Sequence, residues 1–329
     1  MPPSVNPLSA QGSVARAIPA GAVEAMGPAP DGWPIRRIVW PAPEGTPRGS
    51  LLFLPGRGDA YEKYLETLEH WRGQGWQVGA ADWRGQAGSG RLGADAVTGH
   101  IVDFAQWVGD LAALWADWCA TTPGPHVLAA HSMGGQVVLR AAQEQVLQPE
   151  PAALILSAPM LGTHPPWLPD PVQELVARAM CRLGDPRRPA WKWSEKPGEL
   201  PRGRQDLLTH DDTRYADEVW WRAERPQLAM GPGSWGWVAA AARSMRLAAQ
   251  ARRLRAVRVP VFVIATNADE LVSVRAVRHA VRHLPQATYV ELGAQARHEI
   301  WREVDAVRGP ALAASDAFLD ALCPSRDAG

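Results

Sequence analysis

Short apolar runs alternate with segments of helical spacing along most of the 329-residue chain. Apolar runs of about four to eight residues bounded by Gly, Pro or Asp are typical of buried parallel strands. Apolar positions at helical spacing predict amphipathic helices that pack on one side. Strands are expected over 36–40, 51–54, 77–81, 127–130, 153–157, 259–266 and 288–292. Helices are expected over 61–71, 101–118, 135–146, 273–284 and 310–322.

The alternation stops between residue 160 and about residue 250, where prolines and tryptophans are frequent. One amphipathic helix stands out there, over Val172–Leu183. Its apolar face is expected to pack on the main domain, to line a tunnel for an apolar chain or to rest on lipid. Alternation on both sides of an insertion predicts one mostly parallel, doubly wound α/β sheet with an inserted, mainly helical cap. The expected division is a loosely ordered lead-in over 1–34, a core over 35–159 and 251–329, and a cap over 160–250.

Composition narrows the possible partners. Lys and Arg balance Asp and Glu at 34 each, so no strong overall charge favours nucleic acid. Three widely spaced cysteines match neither a disulfide framework nor a metal site, and indicate a reducing compartment. We see no signal peptide and no apolar segment of about 18 residues. A cytoplasmic location is therefore expected, with the cap as the candidate for peripheral contact with the inner membrane.

The stretch Val127–Gly135 carries the first sign of chemistry. Apolar residues run into His131 and Ser132, then Met133 and two glycines, and a helical pattern begins. A buried strand that turns sharply into a helix pushes such a serine out of the sheet as an exposed nucleophile. Ala130 stands two residues before the serine, where glycine is usual in this pattern. An ordinary strand-to-helix turn is the alternative interpretation.

A serine nucleophile needs a histidine base that is oriented by a carboxylate, and in such sheets the chain order is Ser, acid, His. Asp269 follows the strand predicted over 259–266, with Glu270 beside it as the competing acid. His298 lies in the loop after the last predicted strand. We therefore expect a triad of Ser132, Asp269 and His298.

The remaining candidates concern binding. The backbone N–H groups of Met133 and Arg57 are the expected oxyanion donors. His131 is expected to shape the pocket, and Trp83 and Met160 are further candidates for substrate contact. His279 and His283 stand four apart on a predicted helix, but they have no third ligand. We therefore expect neither a metal nor a cofactor.

Five stretches carry a resemblance to a known family. The chain resembles the α/β-hydrolases of the monoacylglycerol lipase and lysophospholipase group, the bacterial lysophospholipases in particular. The resemblance implies an α/β-hydrolase fold, Ser132 as nucleophile, His298 as base and Asp269 as acid, with Arg57 and Met133 as oxyanion donors. Pro55 departs from the pattern, since many relatives have His before the glycine. The matching stretches are Pro55–Tyr64, Asp82–Leu92, Ala130–Gly135, Asn267–Val272 and Ala296–Ile300.

The expected function is hydrolysis of a carboxylic ester, above all of a mono-acyl lipid such as a lysophospholipid or monoacylglycerol, through an acyl-enzyme. The same triad serves peptidases, thioesterases and haloperoxidase-like enzymes, which are the alternatives. A non-catalytic protein that kept the pocket for ligand binding is the alternative from another class.

Overall fold

Each predicted apolar run forms a strand of one eight-stranded sheet. The computed structural model describes residues 16–42, 45–163, 170–192 and 202–324. The strands are β1 (Val23–Pro28), β2 (Pro34–Trp40), β3 (Gly49–Leu54), β4 (Trp76–Ala81), β5 (His126–His131), β6 (Ala153–Ser157), β7 (Val261–Thr266) and β8 (Ala287–Leu292). The helices are α1 (Leu65–Gly73), α2 (Phe104–Thr121), α3 (Ser132–Gln143), α4 (Asp170–Arg182), α5 (Arg202–Leu208), α6 (Asp212–Glu224), α7 (Trp235–Ala248), α8 (Ala251–Leu254), α9 (Val274–His283) and α10 (Asp305–Leu322).

The sheet is mostly parallel, as predicted. Its strand order is β1-β2-β4-β3-β5-β6-β7-β8. β2 runs antiparallel to both of its neighbours, whereas the pairs from β4 to β8 are parallel. Ala130 of β5 lies opposite Leu54 of β3 and Leu156 of β6, so these three strands end at one edge. The loops that carry the candidate residues therefore meet at the carboxyl edge, where ligands of such sheets bind.

The core lies on both faces of the sheet because neighbouring strand residues point to opposite sides. Leu52 and Leu54 of β3 face a cluster that includes Trp107 of α2 and Val137 of α3. Leu51 and Phe53 face a second cluster, which includes Trp71 of α1 and Leu312 of α10. Helices cover both faces, which explains why the central strands read as continuous apolar runs.

The prediction of a loosely ordered lead-in is wrong for residues 23–28. They form β1, which pairs with β2 from Val23 opposite Val39 to Pro28 opposite Pro34. Five of the six β1 residues are exposed, so the strand lacks the apolar alternation by which strands are recognised. Backbone pairing with β2 places it at the edge of the sheet, and Glu24 adds side-chain contacts with Tyr61 and Arg225. Residues 1–15 of the predicted lead-in lie outside the described residues.

Two helices begin earlier than predicted. α3 begins at Ser132 itself rather than at residue 135, because β5 turns into the helix without an intervening loop. α10 begins at Asp305 and carries Pro310 inside it, where the prediction placed the start. Pro310 is the sixth residue of α10, and because proline has no N–H group it donates no hydrogen bond to the preceding turn.

The segment between β6 and β7, called the cap (160–250), holds α4 to α7. α4 packs on α7 through Ala177 and through Glu174, whose carboxylate lies 3.0 Å from Arg246 Nε. The apolar face of α4 points outward, so the expectation that it packs on the main domain is wrong. Among the described residues, no helix has the length and apolar character to cross a bilayer. The outward side chains, with their exposed fractions, are Val172 (41%), Leu175 (68%), Val176 (48%) and Leu183 (78%).

Candidate active site

Ser132 lies at the turn from β5 into α3 with a φ of 51°, a backbone conformation that non-glycine residues rarely adopt. Such strain persists only where the surroundings enforce it. Here α3 and the loop after β3 lie close together: a Cβ on Gly134 would be 2.4 Å from the Pro55 carbonyl oxygen. The methyl group of Ala130 is fully buried in the core, which accommodates the departure from glycine at that position.

A continuous hydrogen-bond chain joins the three residues of the expected triad. Ser132 Oγ lies 2.9 Å from Nε2 of His298. Nδ1 of the same ring lies 2.7 Å from Asp269 Oδ2. The other carboxylate oxygen of Asp269 accepts hydrogen bonds from the backbone N–H groups of Leu271 (2.8 Å) and Val272 (2.9 Å). The carboxylate is therefore held in place from both sides, and it orients the imidazole toward the serine.

The charge of Asp269 favours the protonated form of the His298 imidazole. Burial by itself lowers the pKa of His298, but the charge and the hydrogen bond of Asp269 raise it above its ordinary 6.5. Burial raises the pKa of Asp269, yet the His298 charge and the bonds from the ring and the backbone hold it below 3.8. A histidine in this setting can accept a proton from the serine hydroxyl and remain stabilised as a cation.

Glu270, the competing acid, points elsewhere. Its side chain is 61% exposed, and its carboxylate lies 3.6 Å from Arg297. The structure therefore brings Asp269, and not Glu270, against His298.

The loop that follows β3, residues 55–59, is held on several sides. Trp83 Nε1–H donates to the Pro55 carbonyl at 2.8 Å, and the Gly58 N–H donates to Gln86 Oε1 at 2.8 Å. Arg57 lies within this loop. Met133 stands in the first turn of α3, where backbone N–H groups have no partner within the helix. The role of these two backbone N–H groups as oxyanion donors stays a prediction.

A buried group of charged residues beneath the site was not predicted. Lys63 Nζ lies 2.6 Å from Asp59, 2.8 Å from Glu218 and 2.7 Å from Glu299. Arg302 pairs with the last two carboxylates. We call these residues the Lys63 cluster. Its members come from the loop region after β3, from α6 and from the loop after β8, so no local pattern announces the cluster.

The Lys63 cluster contacts the candidate site through Asp59. This carboxylate accepts the Gly56 N–H at 3.1 Å and lies 3.2 Å from Nδ1 of His131. The Tyr64 hydroxyl lies 2.8 Å from the same ring nitrogen. Burial raises the pKa of Asp59, but the charge of Lys63 and the contacts with His131 hold it well below its usual range. The carboxylate is thus a charged acceptor beneath the loop.

Ser132 and His298 open into a cavity of about 470 Å³ between the sheet edge and the cap. His131 and Met160, two of the residues expected to contact substrate, line it. Trp83, the third, lies behind the loop after β3 and lines a separate cavity of about 190 Å³. The cap side of the larger cavity is mainly aromatic and apolar, with a few polar side chains. Its aromatic and apolar residues include Trp191, Trp235, Trp237, Val238 and Leu208, and its polar residues are Thr163, Gln173 and Arg204.

The two histidines of α9 are engaged with backbone. His279 Nε2 lies 3.0 Å from the Ala249 carbonyl oxygen, and His283 Nδ1 lies 2.9 Å from the carbonyl oxygen of His279. Across the ranges that the structure describes, no group of three or more His, Cys, Asp or Glu side chains is arranged to hold a metal ion.

Comparison with known proteins places this geometry in a family. Residues 45–305 match the model of the serine aminopeptidase S33 family. The chain belongs to this family of α/β-hydrolases. Lysophospholipase L2 of Escherichia coli (strain K12) is 31% identical over 202 residues, which cover 57% of this chain and 54% of that protein. Phospholipase YtpA of Bacillus subtilis (strain 168) is 30% identical over 124 residues, 38% of this chain and 45% of the relative. This α/β-hydrolase thus spans about half the length of the curated relatives it matches.

Solved structures agree on the fold. A soluble variant of monoglyceride lipase from Saccharomyces cerevisiae, in complex with a substrate analog, superimposes with a TM-score of 0.69 at 18% identity, covering 88% of this chain and 92% of that one. A carboxyl esterase from Bacillus coagulans in complex with glycerol gives 0.71 at 16% identity, covering 93% and 100%. The predicted α/β-hydrolase fold and the resemblance to the lysophospholipase and monoacylglycerol lipase group are confirmed.

Proposed function

We propose that this α/β-hydrolase is a serine hydrolase that cleaves the carboxylic ester of a mono-acyl lipid, a lysophospholipid or a monoacylglycerol. The observation that carries the proposal is the unbroken hydrogen-bond chain from Ser132 through His298 to Asp269. It opens into a cavity with a mainly apolar and aromatic cap side, which suits an acyl chain. The lipid substrates named for the relatives support the same substrate class.

The positions of these groups support the following reaction. Ser132 Oγ attacks the ester carbonyl carbon while Nε2 of His298 takes the hydroxyl proton, and Asp269 stabilises the imidazolium. The backbone N–H groups of Met133 and Arg57 bind the oxyanion, and each such donor is worth about 3 kcal/mol. The carbon–oxygen bond of the leaving alcohol then breaks, and His298 returns the proton to that alcohol. This leaves an acyl-enzyme.

Water completes the cycle. His298 removes a proton from the water, whose oxygen attacks the acyl carbon and forms a second tetrahedral intermediate. The bond to Ser132 Oγ breaks, the serine recovers its proton from the imidazolium, and the carboxylic acid leaves. No cofactor is required for either half of the reaction.

The proposal is tested by Ser132→Ala together with a fluorophosphonate probe. Wild type should label and hydrolyse p-nitrophenyl butyrate, whereas the variant should do neither and should keep the wild-type circular dichroism spectrum. An unlabelled wild-type serine would instead favour a non-catalytic ligand-binding protein.

A substrate panel tests the substrate class. It compares a lysophospholipid, a monoacylglycerol, an aminoacyl-naphthylamide, an acyl thioester and a halogenation assay. Preference for either lipid supports the proposal. Because the family is described as a serine aminopeptidase family, the aminoacyl-naphthylamide is the main alternative substrate. Preference for this amide would indicate a peptidase.

We further propose that the cap contacts lipid through α4. Four apolar side chains of this region lie in solvent, and Gln173 of the same helix lines the cavity of Ser132. A helix with an outward apolar face gains free energy by entering a membrane interface. Full burial of one leucine is worth about 1.5–3 kcal/mol, so loss of two should weaken binding by about 100-fold or more.

The membrane contact is tested by sedimentation with phosphatidylcholine–phosphatidylglycerol vesicles. The double variant Leu175→Ser/Leu183→Ser should lose binding and keep wild-type turnover of a short soluble ester. Val23→Ser, an exposed apolar residue at the far sheet edge, is the matched control. Equal vesicle binding by all three proteins would refute the contact.

A further inference from the structure

The side chain of Arg57 reaches from the loop after β3 into the cap. Its Nη2 donates a hydrogen bond to the Gly231 carbonyl oxygen at 2.7 Å. Its guanidinium carbon lies 5.0 Å from the ring centroid of Trp191 and 5.0 Å from that of Trp237. The two indoles meet edge to face, with centroids 6.4 Å apart. A planar cation held by two indoles and a carbonyl has little freedom to reorient.

The cap partners of Arg57 are tied to each other. The Gly231 N–H donates to the Val97 carbonyl at 2.8 Å, so this part of the cap is anchored to the main domain. The Ala190 N–H, next to Trp191, donates to the Gly233 carbonyl at 2.8 Å. The segments that hold the guanidinium therefore form one connected unit, and a displacement of either one moves the anchor of Arg57.

The backbone on either side of Arg57 is held by residues of the main domain rather than of the cap. The Gly56 N–H donates to Asp59, and the Gly58 N–H donates to Gln86. Gly58 itself has a φ of 71°, a region that glycine enters freely. The Arg57 N–H lies between these two held amides, and the side chain of Arg57 adds a third contact, from the cap side.

We propose that the Arg57 side chain is a positioning group for the oxyanion hole. The guanidinium contacts Trp191, Trp237 and the Gly231 carbonyl, and these contacts restrain the backbone of Arg57. When the cap segments are in place, the Arg57 N–H is thereby oriented toward the cavity. The cap thereby acts on the transition state as well as on substrate entry. This inference rests on the proposed function, because it assigns the Arg57 N–H to oxyanion binding.

The backbone N–H survives any substitution at residue 57 except proline, so a side-chain variant isolates the positioning effect. Removal of one oxyanion donor costs about 10²–10³ in kcat, and misplacement by about 1 Å costs about 10². Arg57→Met keeps a flexible, unbranched side chain but is shorter, and it loses the charge and the hydrogen bond to the Gly231 carbonyl. We expect its kcat for p-nitrophenyl acetate to fall by about 10–100-fold while KM changes less than about threefold.

Two further variants and one control variant extend the test. Arg57→Lys keeps the charge and a donor for Gly231 but cannot stack as a plane, so its kcat should lie between wild type and Arg57→Met. Trp191→Leu keeps the arginine at position 57 but removes one of its indole contacts, so it should also lower kcat. This variant replaces Arg57→Met in the test if Arg57→Met fails to fold. Arg187→Met changes an exposed cap arginine that pairs with Asp185, and it should behave as wild type.

The outcomes separate this inference from the proposed function. If fluorophosphonate labels the wild type and Arg57→Met or Trp191→Leu keeps full kcat, the positioning role is refuted and the serine hydrolase stands. A rise in KM with unchanged kcat also refutes it, because the side chain would then bind substrate. Failure of the wild type itself to label would refute the proposed function first. Affinity for an alkyl trifluoromethyl ketone, which forms an oxyanion on Ser132, should fall in parallel with kcat in both variants.

Discussion

Gly134→Ala tests whether the closeness of α3 to the loop after β3 sets the rate. A Cβ at this position would lie 2.4 Å from the Pro55 carbonyl oxygen and 2.7 Å from that of Leu54. Both contacts are with backbone, so no side-chain rotation relieves them. Ordinary van der Waals contact begins at 3.4 Å, and the loop or the helix must therefore move by about 1 Å.

Two effects on stability oppose each other in this variant. Alanine is better than glycine within a helix by about 1 kcal/mol. Overpacking costs about 1–3 kcal/mol, so the net destabilisation should stay below about 2 kcal/mol. Catalysis has no such compensation. The loop carries Arg57 while α3 carries Ser132 and Met133, and a shift of about 1 Å between them should lower kcat by about 10²-fold.

The assay is steady-state hydrolysis of p-nitrophenyl butyrate, with urea denaturation to measure stability. Gly109→Ala is the matched control, since a Cβ on this glycine of α2 would meet nothing within 4 Å. The control should keep wild-type kcat and gain slightly in stability. If Gly134→Ala retains kcat within about threefold, the loop does not need its present separation from α3, and the account of the oxyanion hole fails.

Four further predictions follow from the charged groups. The kcat/KM of wild type should rise with pH through an inflection above 6.5, because Asp269 raises the pKa of His298 although burial opposes it. Asp269→Asn should lower kcat by about 10⁴-fold and move that inflection downward; an unmoved inflection in the pH–rate profile would contradict the coupling. Lys63→Met should cost about 3–5 kcal/mol in urea denaturation, because three buried carboxylates lose one of their charged partners and Glu218 and Glu299 keep Arg302; a loss below about 1 kcal/mol would contradict this. Despite burial, Lys63 lowers the pKa of Asp59 and of Glu299 below their unfolded values, so both stabilise the fold above about pH 4. Wild-type stability should fall as the pH drops through the lower folded pKa values, and a free energy of unfolding that stays constant from pH 6 to about pH 3 would refute this.

Most of the sheet was predictable because its signals are local. The strand expected over 153–157 is observed as Ala153–Ser157, with every residue buried. Burial on both faces leaves an unbroken apolar run in the sequence. The positions of Ser132, Asp269 and His298 after their strands follow from the same logic, since loops at the carboxyl ends of parallel strands converge.

Other parts of the molecule carry no local signal. β1 is exposed at five of six positions and is specified by pairing with β2. Lys63 and Glu299 are 236 positions apart, so their contact depends on the completed fold. The periodicity of α4 predicted a helix correctly, but it could not tell whether the apolar face meets the core or solvent. That distinction depends on which side of α4 meets α7.

The Lys63 cluster is better explained by positioning than by stability. Well-packed apolar residues in place of a buried ion pair are often neutral or more stable, so pairing alone does not account for five buried charges. Apolar contacts are non-directional and tolerate small shifts between the packed segments. Hydrogen bonds between charged groups are directional and are satisfied in few relative positions. Lys63 joins Asp59 of the loop after β3, Glu299 beside His298, and Glu218 of cap helix α6. We therefore interpret the cluster as the element that sets the relative position of these three segments. The side chain of Arg57 provides a second, separate link between the loop after β3 and the cap.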